Sequence, residues 1–281
     1  LNPEIVFNNL DFLKQFTIPV ESTGVSVIVV TKNNESLTDG TLQSLLKQKV
    51  YDYIPWEIIL IDAGSTDNTI KIATEKLQKT GDNVQYRIIE TGQKEYFDIY
   101  KTAFEIAKYD TVVFCNPGEL LNSNYISRTS EIMLKYGNAG VIGGYSEFRT
   151  NITPPEWFDN KIKKLYQTGE QYEYTSDITW SKGYVWGSGM VLRKEAWESL
   201  IKKNFDPYFA GSMNKISKTS FEKELCYALR SAGWNLIYKI DLTLTKFIPE
   251  EELRWDYLKK IIRQKGIESV VLSSYKNLIR N

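Results

Sequence analysis

Among 281 residues there is not one histidine. Without imidazole, neither a Ser-His-Asp or Cys-His nucleophile system nor an H-E-x-x-H zinc site can form. Cysteine is almost as scarce. Cys115 and Cys226 are too few for a thiolate metal cage or a disulfide framework. Any general base is therefore a carboxylate, lysine or tyrosine, and any metal would rest on oxygen ligands. A charge excess is missing too: 35 basic side chains balance 35 acidic ones, which argues against a nucleic-acid partner. The longest apolar runs, such as Val25 to Val30, are strand-sized, so nothing is expected to span a bilayer. No G-x-G-x-x-G and no Walker A loop occurs, so dehydrogenase and P-loop readings are poor. Leu1 stands where an initiator Met would, which fits a trimmed chain, and sparse cysteine fits a reducing, cytoplasmic compartment.

What is there begins with rhythm. Val25 to Val30, Trp56 to Ile61, Val84 to Ile89 and Thr111 to Phe114 are four strand-like runs. Between and after them, apolar residues recur at helical spacing, as in Leu42, Leu45 and Leu46, or Ile70, Ala73 and Leu77. Apolar strands alternating with amphipathic helices imply an α/β fold with a mostly parallel, Rossmann-like sheet and helices on both faces. The second half loses this alternation. Gly140 to Phe148 and Tyr184 to Leu192 read as strands, Lys194 to Leu200 as a helix, and 150–183 as polar, aromatic-rich and aperiodic. Leu225, Ala228, Leu229 and Ala232 mark another helix, closed by Gly233, and Leu253, Tyr257 and Ile261 a further one after Pro249. The expected organisation is an N-terminal extension, 1–24, a catalytic-type domain, 25–266, and a C-terminal helical tail, 267–281. Within the domain, 25–120 forms one half and 140–250 the other.

In open parallel sheets, ligands sit outside the carboxyl ends of the strands. That places Thr31 to Glu35, Asp62 to Asp67 and Cys115 to Glu119 at the candidate site. Gly64 permits a tight turn after Asp62, and Ser65 or Thr66 can cap the following helix. An ordinary βα turn and a carboxylate accepting from a nucleotide fit this spacing equally well.

Four blocks resemble one family. Val25-Ser-Val-Ile-Val-Val-Thr-Lys-Asn-Asn34 followed by Ile61-Asp-Ala-Gly-Ser-Thr-Asp-Asn-Thr69 resembles the opening of the family-2 glycosyltransferases of the GT-A fold. Trp186 to Ala196 is similar to their acceptor-side loop, and Phe221 to Trp234 to their E-D-x-E-L helix. Leu242 to Pro249 resembles the late strand that usually carries a histidine before Ile-Pro. The resemblance, over about residues 25–266, implies an inverting bacterial polysaccharide-type transferase, placed in the cytoplasm or at the inner face of the membrane. It would move a sugar from a UDP- or dTDP-linked donor to a glycan or lipid-linked acceptor.

Carried over residue by residue, the resemblance puts Thr31, Lys32, Asn33, Asp62, Gly64 and Ser65 at the nucleotide, with Asp62 accepting from a pyrimidine N3–H. Asn116 and Lys246 fall at the diphosphate, and Trp186, Gly187, Ser188 and Gly189 at the acceptor. Glu222 occupies the column of the catalytic base, one methylene longer than the usual Asp. The family's D-x-D element, which presents Mg²⁺ or Mn²⁺, reads Asn116-Pro117-Gly118 here, leaving Glu119 as a weak substitute ligand. Phe221 replaces an acid and Lys246 replaces the late histidine. Donor binding that does not need the ion follows as the expectation.

The altered positions keep a rival open, a catalytically silent sugar-nucleotide or glycan-binding module on the same fold. Plainer readings also stand beside each residue. Glu222 and Glu224 would then be solvated carboxylates in a helix's first turn. Of Trp157, Tyr172, Tyr174, Trp180 and Trp186, all but the last are expected to pack rather than face an acceptor sugar. Cys115 and Cys226 are expected to be buried and inert. Arg254, Lys259, Lys260, Arg263 and Lys265 form either a solvated face or a helix that lies against anionic lipid.

Overall fold

Residues Val25–Thr31 form β1, and all seven are buried. Alternation then sends the strand's side chains to two different cores. Ile28 and Val30 pack with Tyr100, Phe104, Trp197 and Phe221 on one face, while Val25, Val27 and Val29 pack with Leu42, Leu45, Ala73 and Ile126 on the other. A strand apolar on both sides belongs at the centre of a covered sheet. The computed structural model, which describes residues 23–79, 84–210 and 215–277, puts β1 there.

β1 pairs in parallel with β2 (Trp56–Asp62) on one side and β4 (Thr111–Phe114) on the other, and β3 (Gln85–Glu90) extends the sheet beyond β2. The helices that follow these strands are α1 (Glu35–Leu46), α2 (Thr69–Gln78) and α3 (Tyr96–Ile106). The chain continues through β5 (Glu119–Leu121), α4 (Tyr125–Lys135), β6 (Ala139–Arg149), α5 (Asn160–Leu165), β7 (Ser176–Asp177) and β8 (Val191–Arg193). It ends with α6 (Lys194–Lys202), α7 (Lys215–Ser231), β9 (Asn235–Phe247), a 3₁₀ turn Glu250–Leu253, α8 (Trp255–Val271) and α9 (Ser273–Asn277). The strand order is β3-β2-β1-β4-β8-β6-β9-β5, with β7 beside β9.

The α/β class with a mostly parallel sheet holds, with antiparallel additions in the second half. β8 runs antiparallel to both β4 and β6, and β5 and β7 run antiparallel to β9. The two expected halves are therefore one continuous sheet. The strand expected over Tyr184 to Leu192 shrinks to Val191–Arg193, because the chain turns at two positive-φ glycines, Gly183 and Gly189, instead of extending. The expected extension, 1–24, lies outside the described residues except for its last two. α8 runs unbroken through residue 267 to Val271.

Two placements shape the region beyond the strand ends. α7 crosses the mouth of the sheet on the α3 face, with Phe221 edge-on to Tyr100 at 4.9 Å. A third, smaller core of Phe158, Tyr166, Ile248, Leu253, Leu258 and Ile261 fastens the aperiodic segment under α8. Together they roof the carboxyl ends of β1 and β4.

Candidate active site

Under that roof lies a cleft of about 150 Å³. Thr31, Lys32 and Asn34 line it from the end of β1, Asn116 and Glu119 from the turn after β4, and Lys218 and Glu222 from α7. Gly187 and Lys246 complete the wall.

α7 begins at Lys215, so Glu222 is in the helix interior, buried at 2 % exposure, and is no solvated first-turn residue. Its Oε1 lies 3.0 Å from Lys218 Nζ, one turn earlier, and 3.4 Å from the Tyr100 hydroxyl. Burial first, and the Glu222 charge second, push the Tyr100 and Tyr96 hydroxyls well above the usual tyrosine range, so both stay protonated donors. Glu222 Oε2 faces residue 187, where a Cβ would come within 1.6 Å. Only glycine leaves the carboxylate its place. Glu224 is equally buried but engaged elsewhere. It accepts from the backbone N–H groups of Tyr208 and Phe209 and from the Tyr275 hydroxyl.

The turn after β4 explains the altered D-x-D. Gly118 has φ +89°, its N–H donates to Thr41 Oγ1 at 2.9 Å, and a Cβ would press the Phe247 carbonyl at 3.3 Å. An aspartate here would be strained as well as crowded. Glu119 does not replace it. Its Oε2 accepts from the backbone N–H groups of Asn116 and Gly189, and its Oε1 from the Asn116 amide, so the carboxylate ties two loops together. The Asn116 side-chain Oδ1 in turn accepts from Lys218. Among the described residues no group of three or more acidic or cysteine side chains is arranged to hold an ion. With the oxygens of Glu119 and Asn116 so engaged, the donor set as it stands does not fit a divalent cation. The Lys218 ammonium already holds the Asn116 Oδ1, and backbone and amide N–H groups hold both oxygens of Glu119.

Lys246 projects from β9 directly opposite Glu119, and its ammonium donates to the Tyr166 carbonyl at 3.0 Å and Ser188 Oγ at 3.1 Å. Two cations, Lys218 and Lys246, therefore face the cleft from opposite elements.

The nucleotide-side loops are interlocked. Asp62 accepts from the N–H groups of Gly64 and Ser65 and from Ser65 Oγ, and Ser65 Oγ in turn accepts from the Asn33 N–H. Asn33, at φ 52°, turns its side chain to Thr66, so Asn34 rather than Asn33 lines the cleft. A carboxylate has about four acceptor positions, and three are in use on Asp62, which leaves one for a ligand N–H. Of the expected site residues, the structure brings Thr31, Lys32, Asn116, Glu119, Gly187, Glu222 and Lys246 into one wall. Asn33, Asp62, Gly64 and Ser65 brace it from behind, and Ser188 and Gly189 act through Lys246 and Glu119. Trp186 is buried at 7 % exposure and lines a neighbouring groove, whereas Tyr174 and Trp180, expected to pack, are exposed.

Lys218 escaped the sequence reading. The signal was present: a lysine four residues before Glu222 lies on the same helical face.

The model of the family described as Glycosyl transferase family 2 matches residues 26–201. No curated protein matches in sequence. Among solved structures, residues 1–349 of TarS from S. aureus in complex with UDP-GlcNAc superimpose with a TM-score of 0.61 at 16 % identity, covering 88 % of this chain and 66 % of that one. The same protein with UDP gives 0.56 at 15 %, covering 88 % and 65 %. The mannosyltransferase PcManGT from Pyrobaculum calidifontis, in complex with GDP-Man and Mn²⁺, gives 0.54 at 16 %, covering 86 % and 64 %. The chain thus spans about two thirds of each of these structures. The fold is the GT-A type of these structures. The chain belongs to glycosyl transferase family 2.

Proposed function

We propose that the cleft takes a nucleoside diphosphate sugar, UDP- or dTDP-linked, and transfers the sugar to a hydroxyl of a glycan or lipid-linked acceptor with inversion. The observation that carries this reading is the buried Glu222 carboxylate, held against Gly187 in a cleft that Lys218, one turn earlier on the same helix, and Lys246, from β9, also line. Nucleotide complexes of TarS and the mannosyltransferase support the donor class. In one displacement, the acceptor oxygen attacks the anomeric carbon while its proton passes to Glu222. The bond from that carbon to the diphosphate breaks, and its electron pair leaves with the nucleoside diphosphate. Fixed positive charge beside the leaving phosphates stabilises the charge that develops there. Lys218 and Lys246 supply it, and Mg²⁺ or Mn²⁺ is dispensable.

The rival reading, a silent binding module, draws on the Lys218–Glu222 ion pair, which occupies the Oε1 that would otherwise be open to an acceptor proton. Nucleoside diphosphate release from a panel of UDP-, dTDP- and GDP-sugars separates the two. The expected result is release from at least one donor, lowered about 10²–10⁴-fold in Glu222→Gln with nucleotide affinity retained. Nucleotide binding without release from any donor would leave the silent module standing.

A further inference from the structure

A second cavity of about 200 Å³ opens beside the first, and Leu165, Gln167, Thr219 and Lys265 line both. Trp186 faces this groove while Gly187, one residue on, faces the cleft next to Glu222. Whatever lies in the groove therefore lies next to the cleft that holds the proposed base.

The groove's charge is one-sided. Lys164, Lys182, Lys223 and Lys265 line it, and no carboxylate does. One acid sits behind them. Glu268, at 1 % exposure, is 2.6 Å from Lys223 and 3.0 Å from Lys265, and also accepts from Ser220 Oγ. Burial opposes ionisation of Glu268, but the Lys265 and Lys223 charges outweigh it and hold its carboxyl below the ordinary value. That single charge is shared between two ammonium groups and leaves Lys164 and Lys182 uncompensated among the described residues. Lys223 and Lys182 also lie over the rings of Tyr184 and Tyr172, at 4.2 and 5.5 Å, which fixes them toward the groove rather than letting them trail into solvent. Glu268 answers Lys223 and Lys265, so the groove keeps a net positive charge that an incoming anion would offset. A neutral sugar would gain hydrogen bonds here but none of the charge attraction.

We infer that this groove is the acceptor site and that the acceptor is anionic, carrying phosphate or carboxylate groups near the hydroxyl that receives the sugar. The inference rests on the proposed transferase reading. Two sources share this chemistry, a soluble acidic glycan chain and a lipid-linked phosphate.

The test is binding to the intact protein, by calorimetry, of hexagalacturonate, of farnesyl phosphate in neutral detergent micelles, and of neutral maltohexaose. UDP is titrated in parallel. Hexagalacturonate binding marks a soluble chain and farnesyl phosphate binding a lipid-linked one, and either supports the inference. The affinity is expected to fall at least about tenfold from about 50 to 300 mM salt, as surface attraction is screened. Lys164→Gln/Lys182→Gln, at two exposed positions, is expected to weaken the anion at least tenfold, about 1.4 kcal/mol, with UDP affinity unchanged. Equal binding of maltohexaose, binding of neither anion, or an unchanged double variant overturns the inference. Anion binding without any nucleotide binding overturns the transferase reading instead.

Discussion

A methyl group added at residue 187 would sit 1.6 Å from Oε2 of Glu222, so the two positions answer to one another. Gly187→Ala is expected to displace the carboxylate by about an ångström, which typically costs about a hundredfold in turnover. UDP affinity should hold, and initial rates beside calorimetry check both. Lys218 is the other pivotal residue, since its ammonium joins Asn116 on the donor side to Glu222 on the acceptor side. If it and Lys246 serve the diphosphate, UDP affinity in EDTA and in excess Mn²⁺ should differ by less than about tenfold, or 1.4 kcal/mol. Lys218→Gln and Lys246→Ala should each weaken UDP. A strong Mn²⁺ requirement would mean that Asn116 or Glu119 breaks its present bonds to hold the ion.

At the scale of elements, the sequence disclosed most where side-chain periodicity meets full burial. β1, β2 and β4 are apolar on both sides, and their runs were readable to within a residue or two. Glu222 was readable only through its motif, because one carboxylate in a helix looks like any other until the neighbouring chain is in place. The wall opposite came from residues distant in the chain, Asn116 and Gly187 among them, and no local pattern encodes such a meeting. Residues 150–183 hid their role for the same reason: Phe158 and Tyr166 are core only because α8 covers them. α8 itself shows an outer side with Trp255, Ile262 and Val270 exposed among the basic Lys259, Lys260 and Arg263. Acids on its own turn temper that charge, since Lys259 pairs with Asp256 and Arg254 lies near Glu250. No described helix is long and apolar enough to cross a membrane. Weak flotation with anionic vesicles, lost as salt rises past a Debye length of about 10 Å at 0.1 M, is the expected behaviour. Equal flotation with neutral vesicles would remove the electrostatic account.

For the molecule as a whole, Glu268 binds α8 to α7 through Ser220 and Lys223. Its carboxyl is held below the ordinary 4.5, so the ionised form favours the folded state. That contribution is complete above about pH 4.5 and disappears as the pH falls through the lower folded value. Glu268→Gln should therefore melt below the parent at neutral pH, with the gap narrowing under acid. Melting curves from about pH 7 to 3 read this directly, and a gap independent of pH would place the loss in packing.

Lys218 carries one last implication. An ion held by ligands comes and goes with its supply, and a chelator can strip it. An ammonium on a covalent stem cannot be stripped by a chelator: its stoichiometry is one per chain whatever the metal supply. A transferase whose cation is part of its own polypeptide would keep working through metal starvation. It would also be immune to the inhibitory swapping of one divalent ion for another. The cost is adaptability, since the position and valence of that charge are fixed by a codon.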